Sequence, residues 1–142
     1  MTAKLPHLTR LLKYRNEHVI NRYRKEQQCS KAVANRTFTE LLKYFWLAQK
    51  KNISQENIFV AIYPEMAHID AMWHVFLLFT REYQAFCHKY FGEFFHHTPA
   101  TSHPTIGLKK FKQHFSTFLN YTYDHLGEES VKFWFKDLLS KK

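Results

Sequence analysis

Apolar side chains recur at helical intervals along most of this chain. Leu8, Leu11, Leu12, Val19 and Tyr23, with Pro6 placed for a first turn, predict a helix over about 8–27 that breaks near Asn16. Ser30 offers an N-cap for a second helix, whose apolar face is Phe38, Leu41, Leu42, Phe45, Trp46 and Ala48 and which ends before Lys50, Lys51 and Asn52. Residues 53–63 read as a connection: Ile58, Phe59, Val60 and Ile62 favour an extended run, whereas Ser54 offers a cap for a short helix.

Pro64 suits a first helical turn and Gly92 a left-handed terminus, framing a helix from about Glu65 to Phe91. Its middle turns, Met72 to Phe79, are apolar around nearly the whole circumference, so it is expected to be the buried central helix. Pro99, Pro104 and Gly107 interrupt regular structure in the loop that follows. Leu108, Phe111, Phe115, Phe118, Thr122 and Leu126 then mark a helix stopped by Gly127. A last helix over about 128–140 buries Val131, Trp134, Phe135, Leu138 and Leu139. The expectation is all-α: one compact domain over residues 1–142, a bundle of four or five helices around a buried central one.

Composition supports this reading. Three glycines and four prolines in 142 residues are few turn formers for a many-stranded sheet, and 18% aromatic content can fill a substantial core. Two cysteines and the absence of a signal-like opening point to reduced thiols and a cytoplasmic protein. The longest fully apolar run, Val75 to Phe79, falls far short of the ~20 residues of a membrane span. The net charge of +9 is uneven: residues 1–36 carry nine Lys or Arg against Glu17 and Glu26, while residues 52–104 carry two against five acids. The basic end suits nucleic acid, an anionic membrane or an acidic partner, and names none of them.

Candidate chemistry gathers between Ile69 and Pro99. On an unbroken helix Asp70, His74, Arg81 and His88 share one narrow stripe, and with Trp73 they read either as a solvent seam or as the wall of a ligand pocket. Carboxylate beside imidazole can ligate a metal, or the carboxylate can fix the tautomer of an acting histidine. Cys87, His88, His96 and His97 add further metal candidates, zinc or iron being the ions these donors suit, and His114 and His125 are spare ones. Adjacent histidines in an extended segment point opposite ways, so one of His96 and His97 can face a given site. On a straight helix His74 lies about 25 Å from Phe91. The six-residue return to His97 spans ~20 Å at most. Either the helix breaks, near Tyr83 to Cys87, or Asp70 with His74 and Cys87 or His88 with His96 or His97 are separate clusters.

The pattern Ile69-Asp70-x-x-Trp73-His74, followed by Leu77, Thr80, Tyr83, Cys87, Phe91-Gly92 and His96-His97-x-Pro99, resembles the glycine-rich domain-containing protein-like family over roughly residues 64–107. Phe76 stands where many of its members have a second histidine, and the glycine-rich tail is missing. The resemblance implies a helical module and brings little mechanism with it.

Three function classes remain: a helical interaction or small-ligand module with an unknown protein or small-molecule partner, a transition-metal protein or metal-dependent enzyme, and a basic nucleic-acid-binding protein. The G-x-S-x-G, H-E-x-x-H, P-loop and G-x-G-x-x-G signatures are absent, which removes those recognisable enzymes.

Overall fold

All regular structure among the residues described by this computed structural model, 3–97 and 107–135, is helical. The elements are α1 (Leu8–Leu11), α2 (Glu17–Gln27), α3 (Lys31–Ser54), a 3-10 turn (Pro64–Met66), α4 (Ala67–Leu78), α5 (Thr80–Phe91), α6 (Leu108–Leu126) and α7 (Glu128–Trp134). The all-α expectation holds. The helices number seven because two expected segments are each divided. The expected loop over 98–106 and the burial of Leu138 and Leu139 lie outside the described residues.

The first division falls at Asn16, where the sequence places it. Asn16 is extended; its Oδ1 accepts the Val19 amide at 3.2 Å, which caps α2, and its Nδ2 donates to Glu82 of α5 at 2.8 Å. The second division corrects the unbroken 65–91 helix and lies upstream of the expected break near Tyr83 to Cys87. Phe79 leaves helical geometry at φ −94°, ψ 68°, its amide donating to the Phe76 carbonyl and its carbonyl accepting from the Tyr83 amide. No proline or glycine is responsible; packing is. Trp73 and Tyr83 would be ~15 Å apart along a straight helix, whereas their polar atoms meet at 3.0 Å. The Phe76 and Tyr83 rings also pack edge to face, 5.0 Å between centroids.

Helix α3 begins as Ser30 predicts, with Oγ accepting the Val33 amide at 3.1 Å. It runs one turn past the expected end, because Gln55 adopts the left-handed conformation (φ 55°) and its amide caps the carbonyls of Lys51 and Asn52. Ser54 therefore closes this helix and caps no new one. Helices α1, α2, α4, α6 and α7 all pack on α3. Helix α4 buries Ile69, Met72, Trp73, Val75 and Phe76, but not its whole apolar circumference: Leu78 at its end is exposed, and Leu77 is half-buried.

Buried polar groups of α3 fasten its neighbours. The fully buried Glu40 accepts from Trp134 Nε1 at 2.7 Å and pairs with Arg36 and Lys43, which holds α7. Gln49 donates to the carbonyls of Lys4 and Phe91, joining the N-terminal segment to the end of α5. Trp46, one turn earlier, donates to the Pro6 carbonyl at 3.0 Å. Both cysteines are free, Cys29 half-buried and Cys87 buried. No helix among the described residues is long and apolar enough to cross a membrane.

Candidate functional site

The break at Phe79 turns α5 so that the segment leaving it returns to α4. Gly92 ends α5 with φ 72°, a conformation that suits glycine, and its amide donates to the His88 carbonyl. The chain then runs without regular structure to His97. Phe95 anchors this segment, its ring stacked 5.3 Å from Phe45 and tilted against Phe91 at 4.7 Å, while its carbonyl accepts from the Tyr83 hydroxyl at 2.6 Å. The Phe94 and His96 rings pack edge to face at 4.7 Å, and Phe95, His96 and His97 all line one cavity, so the expectation that one of the two histidines alone faces a site holds for the grouping with Asp70 and His74 and not for that cavity.

His97 thereby reaches the pair on α4. Its Nε2 lies 2.6 Å from Asp70 Oδ1, and its ring is 4.4 Å from that of His74 and 4.5 Å from that of Trp73. His74 Nδ1 is 2.8 Å from the Asp70 backbone carbonyl and 3.5 Å from Asp70 Oδ2. The carbonyl can only accept, so Nδ1 carries the proton and Nε2 keeps a lone pair directed away from the helix. One donor atom from each of Asp70, His74 and His97 falls within 4.8 Å of the others. The three side chains grade from sheltered to open, with relative exposures of 17% for His97, 34% for Asp70 and 57% for His74.

Asp70 and His97 also line a cavity of about 330 Å³ between α3, α4 and the connection before the 3-10 turn. Tyr44, Phe45 and Trp73 supply aromatic wall, and Val60, Ala61 and Ile62 supply aliphatic wall. Burial raises the Tyr44 phenol well above its ordinary value, with the nearby Asp70 charge adding to the effect.

The other sequence candidates lie elsewhere. Arg81 and His88 are exposed on α5, because the change of direction at Phe79 ends the single stripe they would share with Asp70 and His74 on a straight helix. Cys87 is buried, and burial pushes its thiol up. His96 is exposed, with its ring on Phe94, and it also lines the cavity beside His97 without joining the triad. His114 packs by Phe59, and His125 by Tyr121 and Trp46. The structure thus joins Asp70, His74 and His97 and sets Cys87 and His88 apart from them. Several N-terminal cations make internal bonds: Arg15 to Thr39, Arg22 to Glu26, Arg24 to the Cys29 carbonyl and Lys31 to Glu17.

Tyr44, Tyr83 and the Val60–Ile62 wall were not among the sequence candidates. Nothing local distinguishes Tyr44 from other aromatic positions of a long amphipathic helix. The apolar run 58–62 was visible, but what it faces depends on tertiary structure.

No curated protein matches this chain significantly, and no solved structure does. The family comparison corrects the likeness to glycine-rich domain-containing proteins. That likeness rested on the D-x-x-W-H core and its order with Tyr83, Cys87 and the paired His96 and His97, all within roughly residues 64–107. The family match instead runs from α1 into α6, over residues 7–118, and so takes in the whole candidate site: the chain belongs to the UCP032817-like family.

Proposed function

We propose that Asp70, His74 and His97 bind one first-row transition-metal ion and that the protein acts through this ion. The observation that carries the reading is the convergence of three potential ligand atoms within 4.8 Å, two from one turn of α4 and one from the returning segment. Two imidazoles and one carboxylate suit zinc or ferrous iron better than calcium or magnesium, which favour all-oxygen sets. Three protein ligands leave further coordination positions for water or substrate, as sites of metal-assisted chemistry require. His74 Nδ1 on the Asp70 carbonyl is the outer hydrogen bond that ligating histidines commonly make. The small-ligand and metal readings of the sequence meet here, since Asp70 and His97 of the triad line the cavity.

A second reading is a structural latch, favoured by the 2.6 Å contact between His97 and Asp70, which by itself ties the returning segment to α4. Metal analysis of protein purified without a histidine tag, followed by titration with zinc, ferrous iron and cobalt(II), separates the two. One equivalent bound in the wild type, lost in both His74→Ala and His97→Ala and kept in His96→Ala, is the expected result. Absence of binding at micromolar metal would leave the latch.

A further inference from the structure

The cavity beside the triad has a composition that selects among ligands. Its described lining has a single carboxylate, Asp70, and neither lysine nor arginine. Most lining residues are aromatic or aliphatic, with Asn52 and His96 adding neutral polar groups, and a volume of about 330 Å³ is at the small end of the ~300–1,000 Å³ typical of ligand pockets. One substituted ring or a branched chain of similar size fits such a space.

Tyr44 contributes the polar feature. The residue is 6% exposed and lines the cavity, yet its hydroxyl makes no hydrogen bond among the described residues. Among the described residues, the side-chain polar atoms sealed from solvent without a partner are Gln49 Oε1 and Tyr63 Oη, and the Tyr44 hydroxyl is not one of them. Its ring is fixed 5.9 Å from Trp73 and 5.8 Å from Trp134. A phenol held rigidly between two indoles with its donor unspent is an arrangement that a ligand oxygen would complete, since unpaired polar groups in sheltered positions are costly.

Charge then decides what kind of oxygen. A divalent ion on neutral His74, neutral His97 and ionised Asp70 carries a net charge of about +1, which an anionic ligand neutralises. Without the ion, Asp70 alone would repel the same anion. We infer that the cavity binds a small, mainly apolar carboxylic acid, one carboxylate oxygen on the ion held by Asp70, His74 and His97, the other accepting the Tyr44 hydroxyl hydrogen, and the hydrocarbon body against Val60, Ala61 and Ile62. This rests on the metal reading above and adds the ligand class to it.

Phenylacetate is a suitable probe and formate its bodiless control, each titrated into cobalt(II)-loaded protein while the visible ligand-field spectrum reports coordination. Phenylacetate should perturb the spectrum at concentrations at least tenfold lower than formate, and should not bind the metal-free protein. Tyr44→Phe should weaken phenylacetate about tenfold, the scale of one hydrogen bond, without changing cobalt affinity. Ile62→Trp, which fills the cavity, should abolish the preference for phenylacetate while leaving the formate response. Equal affinity for the two acids, or a phenylacetate response unchanged in both variants, overturns the inference while the metal site stands. Failure of the wild type to take up cobalt overturns the metal reading itself.

Discussion

The indole Nε1–H of Trp73 donates to the hydroxyl of Tyr83 at 3.0 Å, and that hydroxyl donates in turn to the Phe95 carbonyl at 2.6 Å. A single phenol oxygen thus links α4, α5 and the segment that carries His97. Tyr83→Phe would leave all three potential ligands in place while taking the acceptor from a buried indole and the donor from a carbonyl. The expected cost is ~2–3 kcal/mol of stability, read from the urea midpoint. Metal affinity should fall as well, because His97 loses the tether two residues before it. Unchanged affinity in the folded variant would assign the positioning of His97 to the Phe95 ring alone.

The Phe79 break depends on how well the apolar residues around it interlock. Phe76 is fully buried, with ring centroids of Phe38, Tyr83 and Phe86 at 5.6, 5.0 and 5.2 Å. Phe76→Ala should cost ~3–5 kcal/mol, through lost burial and the cavity left behind. A denaturation experiment giving less than ~1 kcal/mol would contradict this packing.

The features legible in the sequence are those decided within a few residues. Asn16 and Ser30 cap helices through their own side chains, Pro64 starts a turn and Gly92 takes a positive φ, so their chemistry marks boundaries directly. The Asp70–His74 pair belongs with these, because one helical turn suffices to place it. The division at Phe79 is different in kind: it lies in an apolar run without glycine or proline and is set by contacts such as Trp73 with Tyr83. Whether His97 could reach His74 depended on that break. For the same reason the sequence left the shared site open, and of the cavity wall it offered Asp70 and Trp73 but not Tyr44 or the Val60–Ile62 side.

Helix α7 is short and held by one buried charge. Glu40 is fully buried, with one carboxylate oxygen on Trp134 Nε1 and the other on Arg36 and Lys43. Both cations are partly exposed and can regain water, whereas the indole cannot. Glu40→Ala should therefore cost ~3 kcal/mol, the low end of what breaking a buried pair costs. Glu40→Gln keeps an acceptor for the indole and should lose about half as much. Trp134 fluorescence should shift to longer wavelength in the alanine variant before global unfolding. Coincident transitions by fluorescence and circular dichroism would show instead that α7 does not loosen separately.

Alkaline conditions probe the aromatic core through its phenols. Burial raises the hydroxyl groups of Tyr14, Tyr23, Tyr44, Tyr63, Tyr83 and Tyr121 above their ordinary value of 10.0, and Tyr121 is raised further by its hydrogen bond to Glu56. Below pH 10 these groups are protonated in the folded and the unfolded chain alike, so they make stability no more sensitive to pH there. Above it the unfolded chain releases protons that the native state retains, the unfolded state is favoured, and stability falls with rising pH. The sign is opposite to that of a salt-bridged carboxylate, whose contribution is lost on acidification. Urea midpoints measured at intervals from pH 8 upward should be nearly level until about 10 and then fall steeply. Tyrosinate absorbance should include a late phase in which the buried phenols ionise together with loss of helix. Tyr83→Phe, already less stable, should lose its helix at lower pH than wild type. If all tyrosines ionised near 10 with circular dichroism unchanged, the packing around Tyr83, whose hydroxyl is held between Trp73 and Phe95, would be wrong.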